Sequence, residues 1–163
     1  MLKQRIITAV VLLAILLPAL FYPSYVPFGV VMLVLIGAAA WEWGRLNGCG
    51  ARVSIFLGIE AVALCGLSWW LGLLEQRLPL VWIIAGGAWV LCGGLLLRAG
   101  VAGWPTVPRA LRLVGGLLAL WVAWLAAVQA RVVGINFLLS LLVLVWVADV
   151  FAYFAGRAFG LRF

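Results

Sequence analysis

Asp149 is the most unusual chemical group in this chain, because it is an acid that stands alone in an apolar stretch. It is the only carboxylate after Glu75, and seventeen uncharged residues precede it. A carboxylate at the centre of a membrane-spanning helix costs about 2.5–3.5 kcal/mol, and less toward the helix ends. That cost indicates a use for the charge, as a metal ligand or a substrate-facing group. An ion pair with a loop arginine or a cap on a neighbouring helix would also account for it.

Helical spacing places further candidate residues beside Asp149. Tyr153, Gly156 and Gly160 follow at i+4, i+7 and i+11, on one stripe of a helix. The two glycines form a small-xxx-small pair, which allows close approach of a ligand but more often serves helix packing. Arg157 lies on the adjacent face, where it would contact phosphate or extend toward the membrane interface. Asp149 is thus the candidate catalytic or metal-binding residue, and the other four are candidate substrate-binding residues.

The composition indicates what kind of element must carry these residues. Apolar residues make up 69% of the chain and charged residues 9%, against about 45–50% and about 25% in soluble domains. We therefore predict an all-α membrane protein, a polytopic helical bundle that forms a single transmembrane domain over residues 1–163. The net charge of +7 fits basic residues beside anionic lipid headgroups, and not a nucleic-acid partner.

Six apolar runs approach the length of a spanning helix, which is about 20 residues. Turn residues separate them, and the longest loop is expected between Arg98 and Arg112, where Pro105 and Pro108 lie. The predicted spans are Ile6–Tyr22, Val26–Gly44, Val53–Leu74, Leu80–Leu97, Leu113–Val128 and Val132 to about Phe154.

Charge placement predicts the orientation of these spans. With the N-terminus in the cytoplasm, nine Lys and Arg residues fall inside and two, Arg77 and Arg131, fall outside. This positive-inside bias favours an even number of spans with both termini cytoplasmic. Asp149 then lies about 25 Å along the sixth span, near the cytoplasmic edge of a hydrocarbon core about 30 Å thick. At that depth it could meet a lipid headgroup and a cytosolic reagent together.

Few other residues offer chemistry. The chain has no histidine, and its three cysteines match no metal-site or disulfide spacing. Any reaction must therefore use carboxylates, Lys or Arg, backbone groups or a metal ion. Glu42 and Arg45 have the i, i+3 spacing of a local ion pair at the end of the second span. Glu60 lies within the third span without a local partner, and no role follows for it from sequence.

Three stretches of the chain resemble the phosphatidate cytidylyltransferase (CDP-diacylglycerol synthase) family. They are MLKQRIITA at residues 1–9, WEWGRL at 41–46, and WVAD with AYFAGRAFG at 146–149 and 152–160. The resemblance covers essentially the whole chain. It implies a multi-pass enzyme of the bacterial inner membrane that uses Mg²⁺ to condense CTP with phosphatidic acid, releasing pyrophosphate. Asp149 would then belong to a nucleotide–lipid site, membrane lipids would be further partners, and a homodimer is left open.

The chain departs from the family at its C-terminal side. Family members continue with a Ser-Pro-Gly-Lys-Thr-like loop and an acidic signature, neither of which is present in these 163 residues. One carboxylate cannot build a two-metal site, so we expect the N-terminal part of a longer architecture that is inactive alone. The competing hypothesis is a small transporter or channel subunit, or a structural membrane fragment. A transporter predicts more polar residues in the spans, whereas Ser68, Asn136 and Ser140 nearly complete that set.

Overall fold

The computed structural model describes residues 2–159, which form six α-helices and one short 3-10 turn. The all-helical fold predicted from composition is confirmed for these residues. The 3-10 turn is Trp104–Thr106 and lies between the fourth and fifth helices. The helices are α1 (Leu2–Phe21), α2 (Val26–Leu46), α3 (Ala51–Trp70), α4 (Pro79–Gly103), α5 (Arg109–Val133) and α6 (Ile135–Phe159).

Five of these helices, α2 to α6, are long and apolar enough to cross a membrane. The protein is therefore a polytopic helical membrane protein. The apolar stretch of α1 is shorter, Ile6–Phe21, and it contains Pro18. A sixth crossing by α1 stays a prediction, as does the orientation of the bundle in the membrane.

A glycine corrects one predicted helix boundary. The predicted third span runs to Leu74, but α3 ends at Trp70 because Gly72 has φ +73°, a conformation that breaks the helical repeat. The backbone closes this turn with an N–H of Leu73 that donates to the Ser68 carbonyl at 3.0 Å. Gly134 alone separates α5 from α6, so α6 begins at Ile135 and not at Val132.

The predicted loop from Arg98 to Arg112 is wrong over most of its length. Helix α4 continues to Gly103, with a break at Gly100, and α5 already begins at Arg109. Pro105 is the second residue of the 3-10 turn, and Pro108 occupies the position just before α5. Proline is tolerated at the start of a helix because the N–H it lacks would have no partner there. The two prolines therefore initiate helical turns here.

Helices α2, α3 and α5 form the packed core of the bundle. Trp124, Leu125 and Val128 of α5 are fully buried in this core, and so are Ala40 of α2 and Cys65 of α3. Helix α1 packs on α2, and α6 packs on α5. Helix α4 lies beside the core only near its start, where Trp82 packs against it, and most of its side chains are exposed.

Helix α2 runs antiparallel to both of its core neighbours. Gly44 near its end approaches Ser54 in the first turn of α3, and Trp43 approaches Gly116 in the first half of α5. The end of α2, the start of α3 and the start of α5 therefore lie together. We call this the arginine-rich end, because Arg45, Arg52, Arg109 and Arg112 belong to it.

Candidate functional site

Asp149 lies in the half of α6 that extends away from the core. The first half of α6 packs on α5, with Leu138 buried and Leu139 and Leu142 partly buried against the core. From Val143 to Ala158 every side chain is exposed. Leucines at i, i+1 and i+4 give the first half a packing face, whereas the second half carries large apolar side chains around Asp149 and forms no such face. The Asp149 carboxylate is therefore carried by an unpaired stretch of membrane-spanning helix.

The predicted stripe lies on continuous helix as far as the structure describes it. Asp149, Tyr153, Gly156 and Arg157 all belong to α6, and all are exposed. The Tyr153 ring packs edge-on against its neighbour Phe154, with 5.5 Å between centroids. A Cβ built on Gly156 would meet nothing within 4 Å. Gly160 lies outside the described residues, and the roles of all five residues stay predictions.

Among the residues whose side chains the structure describes, the exposed Asp149 carboxylate makes no hydrogen bond or ion pair, and both alternative explanations of its charge stay predictions. The same residues contain no group of three or more His, Cys, Asp or Glu side chains that could hold a metal ion. Mg²⁺ prefers near-octahedral oxygen coordination, of which Asp149 could supply one carboxylate. The described residues therefore do not by themselves fit a magnesium site.

At the arginine-rich end, tryptophans and arginines form a cluster that the sequence did not predict. The Trp43 indole N–H donates to the Arg112 carbonyl at 3.2 Å, and the Trp43 and Trp104 rings meet edge-on at 6.1 Å. The Arg112 guanidinium lies over Trp104, 5.5 Å from the ring centroid, with its Nε buried and without an acceptor. Arg109 reaches the Cys49 sulfur at 3.2 Å. This cluster presents fixed cationic groups beside the start of α5.

The predicted ion pair between Glu42 and Arg45 is not formed. The Arg45 guanidinium lies instead over the Trp41 ring, 5.1 Å from its centroid. A guanidinium is weakly hydrated and planar, so an aromatic face competes well with an exposed carboxylate. The stretch WEWGRL is thus a signal for aromatic–arginine contacts at this end of α2.

At the opposite end of the bundle, polar side chains tie the helix ends together. Gln129 of α5 donates to the Leu73 and Gln76 carbonyls at 2.6 and 3.0 Å, and the Tyr25 hydroxyl donates to Glu75 at 3.1 Å. The guanidinium of Arg131 donates to backbone carbonyls at the end of α1. These contacts hold α1, α3 and α5 in register, and sequence spacing gives no sign of them because they join distant residues.

Comparison with known proteins identifies the class to which this helical bundle belongs. The sequence model of the Cytidylyltransferase family matches residues 3–162, and the chain belongs to that family. The family predicted from the three sequence stretches is thereby confirmed. Its members are nucleotidyltransferases that use CTP.

Two phosphatidate cytidylyltransferases are similar to nearly the whole of this chain. The phosphatidate cytidylyltransferase of Pseudomonas aeruginosa is 36% identical over 181 aligned residues, which cover 99% of this chain and 60% of the relative. That of Haemophilus influenzae is 32% identical over 190 aligned residues, which cover 99% of this chain and 62% of the relative. The chain thus spans about three-fifths of the length of these relatives. No solved structure has significant similarity to it.

Proposed function

We propose that this chain forms the membrane-embedded N-terminal part of a phosphatidate cytidylyltransferase of the bacterial inner membrane. The whole enzyme transfers CMP from CTP to phosphatidic acid. A lipid phosphate oxygen attacks the α-phosphorus of CTP, and the bond to the leaving pyrophosphate breaks. The observation that carries the proposal is the exposed Asp149 on a membrane-spanning helix of a chain that belongs to the cytidylyltransferase family.

The described residues include cationic groups that suit the anionic substrates of this reaction, but they include too few groups for the transfer step itself. Both substrates are anionic phosphates, and Arg109 and Arg112 of the arginine-rich end place guanidinium groups where such anions approach a bilayer. Transfer between two phosphates requires several groups that neutralise charge or bind cations, and α6 supplies the single carboxylate of Asp149. We therefore propose that these 163 residues do not transfer CMP by themselves, and that Asp149 acts together with groups that the described residues do not include.

A chimera tests this proposal. Residues 3–159 of this chain replace the corresponding part of the Pseudomonas aeruginosa relative, and the purified protein is assayed with labelled CTP, phosphatidic acid and Mg²⁺. We expect CDP-diacylglycerol from the chimera and none above background from the 163-residue chain. In the chimera, Asp149→Asn removes the charge without changing the side-chain shape, and we expect the rate to fall about 100-fold or more.

Glu60→Gln is the matched control, because it removes a carboxylate charge from another membrane-spanning helix, α3, which packs on α2 and α5. We expect this control to retain activity within a factor of about three. An Asp149→Asn chimera as active as the unchanged one would refute the role of Asp149. Product formation by the 163-residue chain alone would refute its inactivity.

A further inference from the structure

An apolar groove runs between α2 and α3 on the surface of the bundle. It encloses about 560 Å³ and is open along its length. Its lining includes Val34, Ala38 and Trp41 from α2 and Ile55, Ile59 and Ala63 from α3. These side chains are exposed, so they face lipid in a membrane-spanning bundle.

The groove exists because two glycines let the helices approach closely. A Cβ built on Gly58 would lie 2.9 Å from the Gly37 carbonyl oxygen, and one on Gly37 would lie 2.8 Å from Val62. The two backbones are therefore in contact at the base of the groove, while larger side chains of α2 and α3 line its two sides. The groove therefore has backbone atoms at its base, and an extended hydrocarbon chain has a shape that fits into it.

One end of the groove carries two positive charges. Trp41 lines this end, and the guanidinium of Arg45, one helical turn further along α2, lies over its ring. Arg52 precedes Ile55 by three residues, which places it on the groove side of α3. Both arginines are exposed and belong to the arginine-rich end. An apolar groove that ends at two guanidinium groups is complementary to a molecule with an acyl chain and an anionic headgroup.

We propose that this groove binds an anionic phospholipid, with one acyl chain between α2 and α3 and the headgroup phosphate between Arg45 and Arg52. The proposal goes beyond nucleotidyl transfer, because the groove and Asp149 lie on different parts of the bundle. Helix α2 meets α5 through Gly29 and Trp43, neither of which lines the groove, and α6 packs on α5. The proposed lipid is therefore a partner of the α2–α3 pair, at a place separate from Asp149.

Photocrosslinking tests the position of the lipid. The chain is purified in detergent, mixed with phosphatidylglycerol that carries a diazirine on one acyl chain, and irradiated, and the labelled peptides are identified by mass spectrometry. We expect labels to concentrate on α2 and α3, at positions such as Val34, Ala38 and Ile59. Helix α4 is the internal reference, because it is at least as exposed. Equal labelling of α4 would overturn the proposal, since it would mean that lipid contacts the bundle without preference.

Lipid binding measured by native mass spectrometry tests the two arginines. We expect the chain to retain phosphatidylglycerol in preference to phosphatidylcholine, and each of Arg45→Gln and Arg52→Gln to weaken phosphatidylglycerol binding about fivefold. Arg98→Gln is the matched control, because Arg98 is an exposed arginine of α4 outside the groove. An unchanged preference in the Arg45→Gln/Arg52→Gln double variant would overturn the headgroup assignment.

Filling the groove tests the acyl-chain contact independently of charge. Ala63→Phe places a ring in the groove, and we expect photocrosslinking of the lipid to α2 and α3 to fall at least fivefold. Ala88→Phe on the exposed face of α4 is the control, with labelling unchanged. Both variants must elute as the unchanged chain does on size exclusion, which separates a blocked groove from a misfolded bundle. Full labelling of a correctly folded Ala63→Phe variant would contradict binding in the groove.

Discussion

Trp121 of α5 donates its indole N–H to the hydroxyl oxygen of Ser68 in α3, with 2.9 Å between Nε1 and Oγ. Ser68 is 3% exposed, and its hydroxyl in turn donates to the Leu64 carbonyl at 2.8 Å. The hydrogen bond thus joins two of the three core helices in an otherwise apolar interface. A polar link of this kind fixes the rotation of one helix against another, because no water replaces a lost partner there.

Removal of the Ser68 hydroxyl should weaken the core. Ser68→Ala leaves the Trp121 N–H without its acceptor, and we expect the free energy of unfolding to fall by about 1–2 kcal/mol. Unfolding of the purified chain in mixed micelles measures this change. Ser140→Ala is the control, because the Ser140 hydroxyl is exposed and bonds only within α6, to the Phe137 carbonyl at 2.7 Å. Equal losses in both variants would show that the link between helices contributes nothing.

Two adjacent glycines in α5 should respond in opposite directions to alanine. A Cβ on Gly116 would overlap the Trp43 indole, whereas a Cβ on Gly115 would meet nothing within 4 Å. We expect Gly116→Ala to destabilise the chain by about 1–3 kcal/mol through overpacking. Gly115→Ala should stabilise it by about 0.5–1 kcal/mol through helix propensity. The same unfolding measurement decides the matter, and a gain in stability for both variants would exclude the close contact between α2 and α5.

Arg131 should be required to hold the end of α1 against α5. Its Nε donates to the Leu20 carbonyl at 2.9 Å, and a second guanidinium nitrogen donates to the Tyr22 carbonyl. We expect Arg131→Gln to cost about 1.5–3 kcal/mol, and Arg131→Lys to restore little of it, because an ammonium lacks the planar fork. Hydrogen exchange at residues 20–25 reports the loosened end directly. Arg77→Gln is the control, because Arg77 is an exposed arginine before α4. Similar hydrogen exchange at residues 20–25 in both variants would contradict the role of Arg131 in holding the end of α1.

Stability at alkaline pH should depend on Tyr25. Burial, followed by the hydrogen bond to Glu75 and the negative charge of that residue, raises the pKa of the Tyr25 hydroxyl above its ordinary value. The folded state therefore holds this proton more tightly than the unfolded state. The resulting stability is complete below about pH 10 and is lost as the pH rises through the folded-state pKa.

The melting temperature in detergent, measured from about pH 9 to about pH 11.5, tests this dependence. The unchanged chain should lose stability more steeply with pH than Tyr25→Phe, which has no proton to lose at this position. At pH 8 the variant should be the less stable of the two, by about 0.5–1 kcal/mol, because the hydrogen bond to Glu75 is absent. Parallel curves for the two proteins would contradict a coupled Tyr25–Glu75 pair.

The sequence by itself determined the class of protein and the helical element that carries Asp149. An excess of apolar residues in runs of helical length has one stable arrangement in a bilayer, because each backbone polar group must be bonded within its own helix. The family was also indicated by the stretches at residues 1–9, 41–46, 146–149 and 152–160. Helix ends were predicted less well near Pro105 and Pro108, because proline is compatible both with a loop and with the first turn of a helix.

Only the tertiary structure decided which helices pair. In a chain whose spans are apolar on every side, hydrophobic periodicity does not distinguish a buried face from a lipid-facing one. Partners are then chosen by shape and by single polar contacts, such as Gly37 against Gly58, Trp121 with Ser68, and Arg131 with the end of α1. These contacts join residues far apart in sequence, so no local pattern encodes them. No local pattern predicts that the second half of α6 lacks a helix partner, so the exposure of Asp149 follows only from the packing of the bundle.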